Sequence, residues 1–298
     1  MGGKSYRGGI DAGGTTFKCG VADPNGVLVQ QCRVRATTPD ETIAACRDFF
    51  RPLVESERLS SFGIASFGPV DVDPNSRNYG TILSTPKPGW SHTNLKTAFE
   101  SEVQIPVHVD TDVNGALLAE RTWGTAQHTN SSAYITVGTG IGAGILVNGD
   151  FLGRPFHPEF GHIPLRRNKQ DLSFECICPF HTDCLEGLVS AKAVAARVGD
   201  PMQADEADPV WEMAADYLAQ ACRTLYLTAR PERIILGGGL MLAPRLLSQV
   251  QASFAEQMAG YLETSLQQSK RLICTPALGE NAGLMGAILI GERAHRHA

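Results

Sequence analysis

Four groups suited to a soft divalent cation stand close together in this sequence: His162, Cys178, His181 and Cys184, with Cys176 as a further thiol. Cys178, His181 and Cys184 are each separated by two residues, so one loop can supply three ligands and His162 the fourth from its other arm. Thiolate sulfur and neutral imidazole in fours are what a structural zinc ion takes. Two thiolates and two imidazoles also leave such a cage without net charge. Cys176 in place of His181 stays open on spacing alone. The plainer alternative, reduced cysteines and a surface histidine in an ordinary loop, does not explain the clustering. Two carboxylates, Glu159 and Glu186, bracket the cluster, so a metal that fixes this loop would fix them as well.

A second group of residues has the chemistry of phosphate handling. Asp11-Ala-Gly13-Gly14-Thr15-Thr16-Phe-Lys18 is a glycine turn flanked by an acid and a base. Glycines let backbone N–H groups approach an anion. Asp11 could hold hydrated Mg²⁺, and Lys18 could reach a phosphate oxygen. It is not a Walker motif, because a strand rather than a helix follows. Gly138-Thr139-Gly140 resembles it at a distance, and Gly237-Gly238-Gly239 follows a buried strand where a flat adenine could lie. Alone, a Gly-Gly hairpin is more often only a tight turn, and Gly237–Gly239 reads equally well as a strand-end turn; three glycine sites in this order are more specific. Asp110-Thr111-Asp112-Val-Asn114 closes a strand and opens a helix. Asp112 there is either a helix N-cap or a carboxylate aimed at a ligand.

The elements that must position these groups alternate between strand and helix. Strands are expected at 8–11, 17–22 and 27–36, with a helix from Thr38 to about Arg58 and a strand at 62–66. A long Pro/Gly/Asn-rich loop at 71–90, a strand at 107–110 and a helix at 112–120 follow. A second, similar unit begins near Ser132, with strands at 133–137 and 143–147 joined by the glycine turn 138–142 and followed by a tight hairpin turn at Asn148-Gly149. Beyond the cysteine loop come helices at 185–197 and 209–229, a strand at 233–236, a helix at 244–262, a strand at 271–275 and a helix from Asn281 to about Ala294. This alternation defines an α/β chain. The repeated hairpins imply two lobes with a cleft between them, 1–121 and 122–282 with the metal loop.

Composition bounds the rest. The 298 residues carry 43% hydrophobic and 19% charged side chains, as a globular, soluble chain does, and a net charge of −5 gives no attraction to nucleic acid or an anionic membrane. Without an apolar leader or a membrane-length apolar run, the cytoplasm is the expected location. The scattered cysteines 19, 32, 46, 222 and 274 are read as reduced thiols.

The order Asp11-x-Gly-Gly-Thr-x-x-Lys18, Gly68-Pro69, Asp112-x-Asn114, Gly138-Thr-Gly140, Glu159-x-Gly-His162, the cysteine loop and Gly237-Gly-Gly239 resembles the ROK family of sugar kinases and repressors. The segments Ala65–Pro69, Ser84-Thr-Pro-Lys87-Pro-Gly-Trp90, His157–His162 and Cys178–Gly187 are similar to bacterial fructokinases within it. The resemblance implies a two-lobe, actin-like (ribonuclease H-like) fold in which the last helix (about 283–298) joins the first lobe, with ATP, Mg²⁺ and a structural Zn²⁺. It implies Asp112 as catalytic base and Glu159, His162 and Glu186 against the sugar. Zinc would sit on His162, Cys178, His181 and Cys184. ATP would meet Asp11, Gly13, Gly14, Thr15, Thr16, Lys18, Thr139, Gly140, Gly237, Gly238 and Gly239, and a homodimer is implied. The expected reaction is phosphorylation of a hexose, D-fructose to fructose 6-phosphate, with mannose, glucose or an N-acetylhexosamine as alternative substrates. A non-catalytic sugar-binding regulator is the other reading. It needs a DNA-binding segment ahead of the first hairpin, where seven residues stand. Many glucokinases of the family have asparagine immediately before the catalytic aspartate; Thr111 stands here, which speaks against glucose.

Overall fold

The computed structural model describes residues 5–293. Residues 1–4 and 294–298 of the expected first lobe, and the expected helix end near Ala294, lie outside them. The chain divides into two compact units, one made of 1–122, 153–157 and 280–298, the other of 123–152 and 158–279.

In the first unit, strands β1 (Tyr6–Ala12), β2 (Thr16–Ala22) and β3 (Leu28–Arg35) form an antiparallel meander. Helix α1 (Pro39–Glu55) follows, its Thr38 hydroxyl accepting from the Glu41 amide and Pro39 supplying a preset first turn. β4 (Leu59–Ser66) then pairs parallel to β1. It begins three residues earlier than expected. Helix α2 (Leu95–Val103), opened by Asn94, falls in a stretch that the sequence left unassigned. β5 (Val107–Thr111) joins β4 in parallel and runs directly into α3 (Asp112–Trp123).

The second unit repeats the plan. β6 (Ser132–Val137), β7 (Ile141–Val147) and the short β8 (Asp150–Phe151) form the meander. The expected single helix over 185–197 is two, α4 (Leu185–Val189) and α5 (Ala191–Val198). Ser190 divides them: its backbone is extended, and its hydroxyl caps the second helix through the Ala193 amide. α6 (Pro209–Ala229) precedes β9 (Arg233–Gly237), which lies parallel to β6. α7 (Leu246–Met258) and α8 (Leu266–Leu272) lead to β10 (Ile273–Cys274), and α9 (Ala282–Arg293) closes the described chain. α8 takes residues expected in the last strand, because Ser265 and Gln268 close a capping box ahead of them.

The two sheets have the orders β3-β2-β1-β4-β5 and β10-β9-β6-β7-β8, which is one topology used twice. Each has its own core, around Phe17, Phe50, Phe62, Trp90 and Phe99 in the first unit and Trp211, Tyr217, Leu218 and Phe254 in the second. Each such fully buried large apolar side chain contributes about 1.5–3 kcal/mol. α9 returns to the first unit and lies on β1 and β4. A Cβ at Gly63 would stand 2.0 Å from the Ala287 carbonyl oxygen, and one at Gly286 would stand 2.0 Å from that of Gly115 in α3. Glycine on both surfaces lets the helix backbone sit directly on sheet and neighbour. No helix among the described residues is long and apolar enough to cross a membrane.

Candidate active site

The candidate residues fall into two groups, one in each unit. In the first unit, β1 and β2 set Asp11 opposite Lys18 across the ladder, so acid and base share a face. Lys18 Nζ lies 3.8 Å from Asp11 Oδ2 and donates to the Glu280 carbonyl at 2.6 Å. The Asp11 carboxylate rests on the first turn of α9, where a Cβ at Gly283 would come within 2.5 Å of it. Burial raises its pKa to about 6, against the pull of Lys18. Between these residues the chain turns tightly, the Gly13 amide donating to the Thr16 carbonyl at 3.1 Å, with Gly14 and Thr15 exposed at the tip.

Asp112 begins α3, but it is not the cap. The Thr111 hydroxyl accepts from the Asn114 amide at 3.2 Å and performs that task. Asp112 Oδ1 accepts only from the adjoining Val113 amide, at 2.8 Å, and no ion pair involves the carboxylate among the described residues. Burial first, and the nearby Asp11 charge second, raise its pKa to about 7. Its neighbour Asp110 is placed quite differently. That carboxylate is buried and takes the Arg154 guanidinium, the Asn114 amide group (2.7 Å) and the Thr111 amide (2.8 Å). Two aspartates two residues apart therefore differ in kind: one is locked by partners, the other carries a proton that it can exchange near neutral pH.

In the second unit, the arms of the cysteine loop run antiparallel. Leu165 donates to the Asp183 carbonyl, Leu185 to the Ile163 carbonyl, and Pro164 bridges Cys184. That zipper brings His162 beside the thiols. The ligand atoms of His162, Cys178, His181 and Cys184 all lie within 4.8 Å of one another. Cys178 Sγ is 3.8 Å from His162 Nδ1 and 3.4 Å from His181 Nδ1. Ligands on one tetrahedral zinc are separated by about 3.3–3.8 Å, given bond lengths of about 2.0–2.3 Å. The donor set and the two Cys178 separations are compatible with zinc. Cys176 is not one of the four; its sulfur packs against Gly187 beside Cys178.

The same loop is tied to the glycine turn between β6 and β7. Glu186 Oε2 accepts from the Ile141 amide at 2.8 Å, and a Cβ at Gly140 would stand 2.7 Å from that oxygen. Glu186 and Gly140, read separately from the sequence, are one local arrangement. Thr139 lies at the tip of the same turn, where the Gly138 amide donates to the Gly140 carbonyl. Glu159 is exposed, just before the single 3-10 turn Phe160–His162. At the end of β9, Gly238 holds φ +90° with its backbone against Val137, Gly237 packs under Tyr134, and Gly239 faces open space. Three residues of consequence were not singled out individually in the sequence. Arg154 clamps Asp110, Gly283 admits the Asp11 carboxylate, and Lys87 donates to the Gly14 carbonyl. Only Lys87 lay inside a quoted motif; the other two act on partners more than 40 residues away, which spacing cannot reveal.

A duplicated five-stranded α/β unit with a glycine turn after its first strand is the plan of the two-lobe, actin-like phosphotransferases. The ROK family model matches residues 7–294, and the chain belongs to the ROK family. It is 40% identical over 297 residues to a fructokinase of Zymomonas mobilis, covering 98% of each chain. It is 38% identical over 281 residues to a fructokinase of Lactococcus lactis, covering 93% of each. Among solved structures, a ROK family glucokinase from Streptomyces griseus, in complex with glucose and AMPPNP, is similar with a TM-score of 0.78 and 25% identity, over 98% of this chain and 100% of that one.

Proposed function

We propose that this chain is an ATP-dependent fructokinase that phosphorylates the 6-hydroxyl of D-fructose. The observation that carries the chemistry is Asp112, a carboxylate released from capping and ion pairing, with a pKa of about 7. A base titrating near the working pH is the best compromise between being ionised and accepting a proton. Asp112 takes the proton of the attacking hydroxyl as that oxygen reaches the γ-phosphorus. The N–H groups of the Gly13–Thr16 turn, with Lys18, stabilise charge on the phosphate chain. Asp11 is the residue suited to hold Mg²⁺, because its burial disfavours an ionised carboxylate that lacks a cation. When bound, that ion neutralises charge on the phosphate oxygens. His162, Cys178, His181 and Cys184 hold a structural zinc ion, which fixes the loop that carries Glu159 and Glu186 toward the sugar.

The choice of fructose rests on the relatives at 38–40% identity and on the Lys87–Trp90 and His157–Glu159 segments. A site built to pair each hydroxyl leaves buried groups unpaired with the wrong sugar, which costs up to about 10⁴-fold. ADP release measured over fructose, glucose, mannose and N-acetylhexosamines should give the largest kcat/KM for fructose. Equal turnover of glucose would remove fructose as the preferred substrate and leave a general hexose kinase.

A further inference from the structure

Lys87 belongs to none of the glycine turns, yet its ammonium is fixed at one of them. Nζ donates to the carbonyl of Gly14 and lies over the rings of Trp90 (4.5 Å), Phe67 (4.8 Å) and Phe17 (5.9 Å). The loop that presents it is itself anchored. Trp90 is fully buried and its indole N–H donates to the Thr37 carbonyl at 2.9 Å, while the Thr85 amide donates to Ser91 Oγ at 3.1 Å. This is an ordered cation, unlike a surface lysine that samples solvent. Among the described residues no carboxylate forms an ion pair with it. An ammonium has three donors, and one carbonyl and three ring faces leave its charge uncompensated. Its half-buried position already presses its pKa downward. Beside it, Gly14 is exposed, and a Cβ there would meet nothing within 4 Å. A desolvated cation without a counter-charge, next to open space at a backbone turn, is the local chemistry of an anion site.

We infer that Lys87 binds the phosphate chain of the nucleotide at the Gly13-Gly14 turn, as a counter-charge additional to Lys18. The inference rests on the kinase reading and names a residue of that same site. A purely structural clamp between loop and turn is the competing account, and it predicts loss of stability without selective loss of nucleotide affinity.

The test compares wild type, Lys87→Met, which keeps the apolar stem, and Lys87→Arg, which keeps the charge. Steady-state kinetics are measured against both substrates, together with calorimetric binding of inorganic tripolyphosphate. Lys87→Met should lower kcat/KM for ATP by about 10²–10³-fold, as does loss of a preorganised donor to a developing anion. KM for fructose should stay within about twofold and Tm within a few degrees, and tripolyphosphate binding should weaken at least tenfold. Lys87→Arg should recover most of the loss. ATP kinetics and tripolyphosphate binding within threefold of wild type in Lys87→Met would overturn the inference, as would loss of Tm with unchanged tripolyphosphate affinity. Should Lys87→Met fail to fold, Lys87→Gln carries the same comparison. Wild type that phosphorylates no hexose defeats the kinase reading, while tripolyphosphate binding still decides the role of Lys87.

Discussion

Asp110 and Asp112 show how position on a strand–helix junction decides what a carboxylate does. Asp110 faces Arg154 and Asn114 and is committed to structure; Asp112 is relieved of capping by Thr111. Thr111 is itself buried and occupied by its helix, so any effect on sugar choice is exerted through the placement of α3. Asp112→Asn keeps the shape and cannot accept a proton near neutral pH. Turnover should fall by about 10²–10⁴-fold with ATP and sugar binding retained, or about 3–5 kcal/mol of transition-state stabilisation. Stability should move the opposite way. The folded state keeps the Asp112 proton up to about pH 7, whereas the unfolded chain loses it near the ordinary 3.8. Across that window rising pH favours unfolding of the wild type through this group. The Tm of the Asn variant relative to wild type should therefore rise between about pH 4 and pH 7 and level off above it. A difference in Tm that is flat with pH, measured by calorimetry, would show that Asp112 ionises normally.

At the scale of elements, α9 and the cysteine loop are held by opposite means on the proposed reading. α9 is held by close approach. With a Cβ at 286 placed 2.0 Å from a backbone oxygen of α3, Gly286→Ala forces two helices apart. It should destabilise the protein by about 3 kcal/mol, the upper end of overpacking costs, since backbone cannot step aside as a side chain can. Denaturant unfolding measures this directly. On the proposed reading, metal ligation orders the cysteine loop. Purified protein should contain about one zinc per chain, and Cys184→Ser should lose metal and Tm together, because binding free energy of a structural metal is folding free energy. Metal analysis and calorimetry on one sample check both. The clustering of His162, Cys178, His181 and Cys184 was legible because four unusual side chains at short spacing carry the signal in the sequence itself. Long apolar or well-capped elements such as β6, β9 and α6 were legible too. α8 was not: Leu266-Gln-Gln-Ser-Lys-Arg-Leu272 has too few apolar residues for a helical stripe, and only its capping box marks it. Ser190 was read through because a serine within an apolar run gives no warning that its own hydroxyl will restart the helix. The pairing of Glu186 with Gly140 and of Arg154 with Asp110 depends on tertiary approach, which no local pattern encodes.

At the scale of the whole molecule, one sheet topology serves twice, but the two units are not assembled from the chain in the same way. The second is nearly continuous, from 123 to 279 apart from residues 153–157. The first has a gap: the surface of β1 and β4 that Gly9 and Gly63 leave bare is covered by α9, which begins some 170 residues after β5 ends. Synthesis on the ribosome proceeds from the N-terminus at about 5–20 residues per second, and domains usually fold as they emerge. Here the order is inverted. The sheet made first must wait, unsealed, for roughly ten seconds or more while the unit encoded after it folds. A nascent chain arrested before residue 280 should accordingly resist protease across 158–279 and be cut within 5–122, and extension through α9 should protect both. Early protection of 5–122 in the arrested chain would mean that the first sheet can close without α9. The last helix is thus a latch on the first-made half, and the interval before it arrives is when this chain is most open to aggregation or to a chaperone.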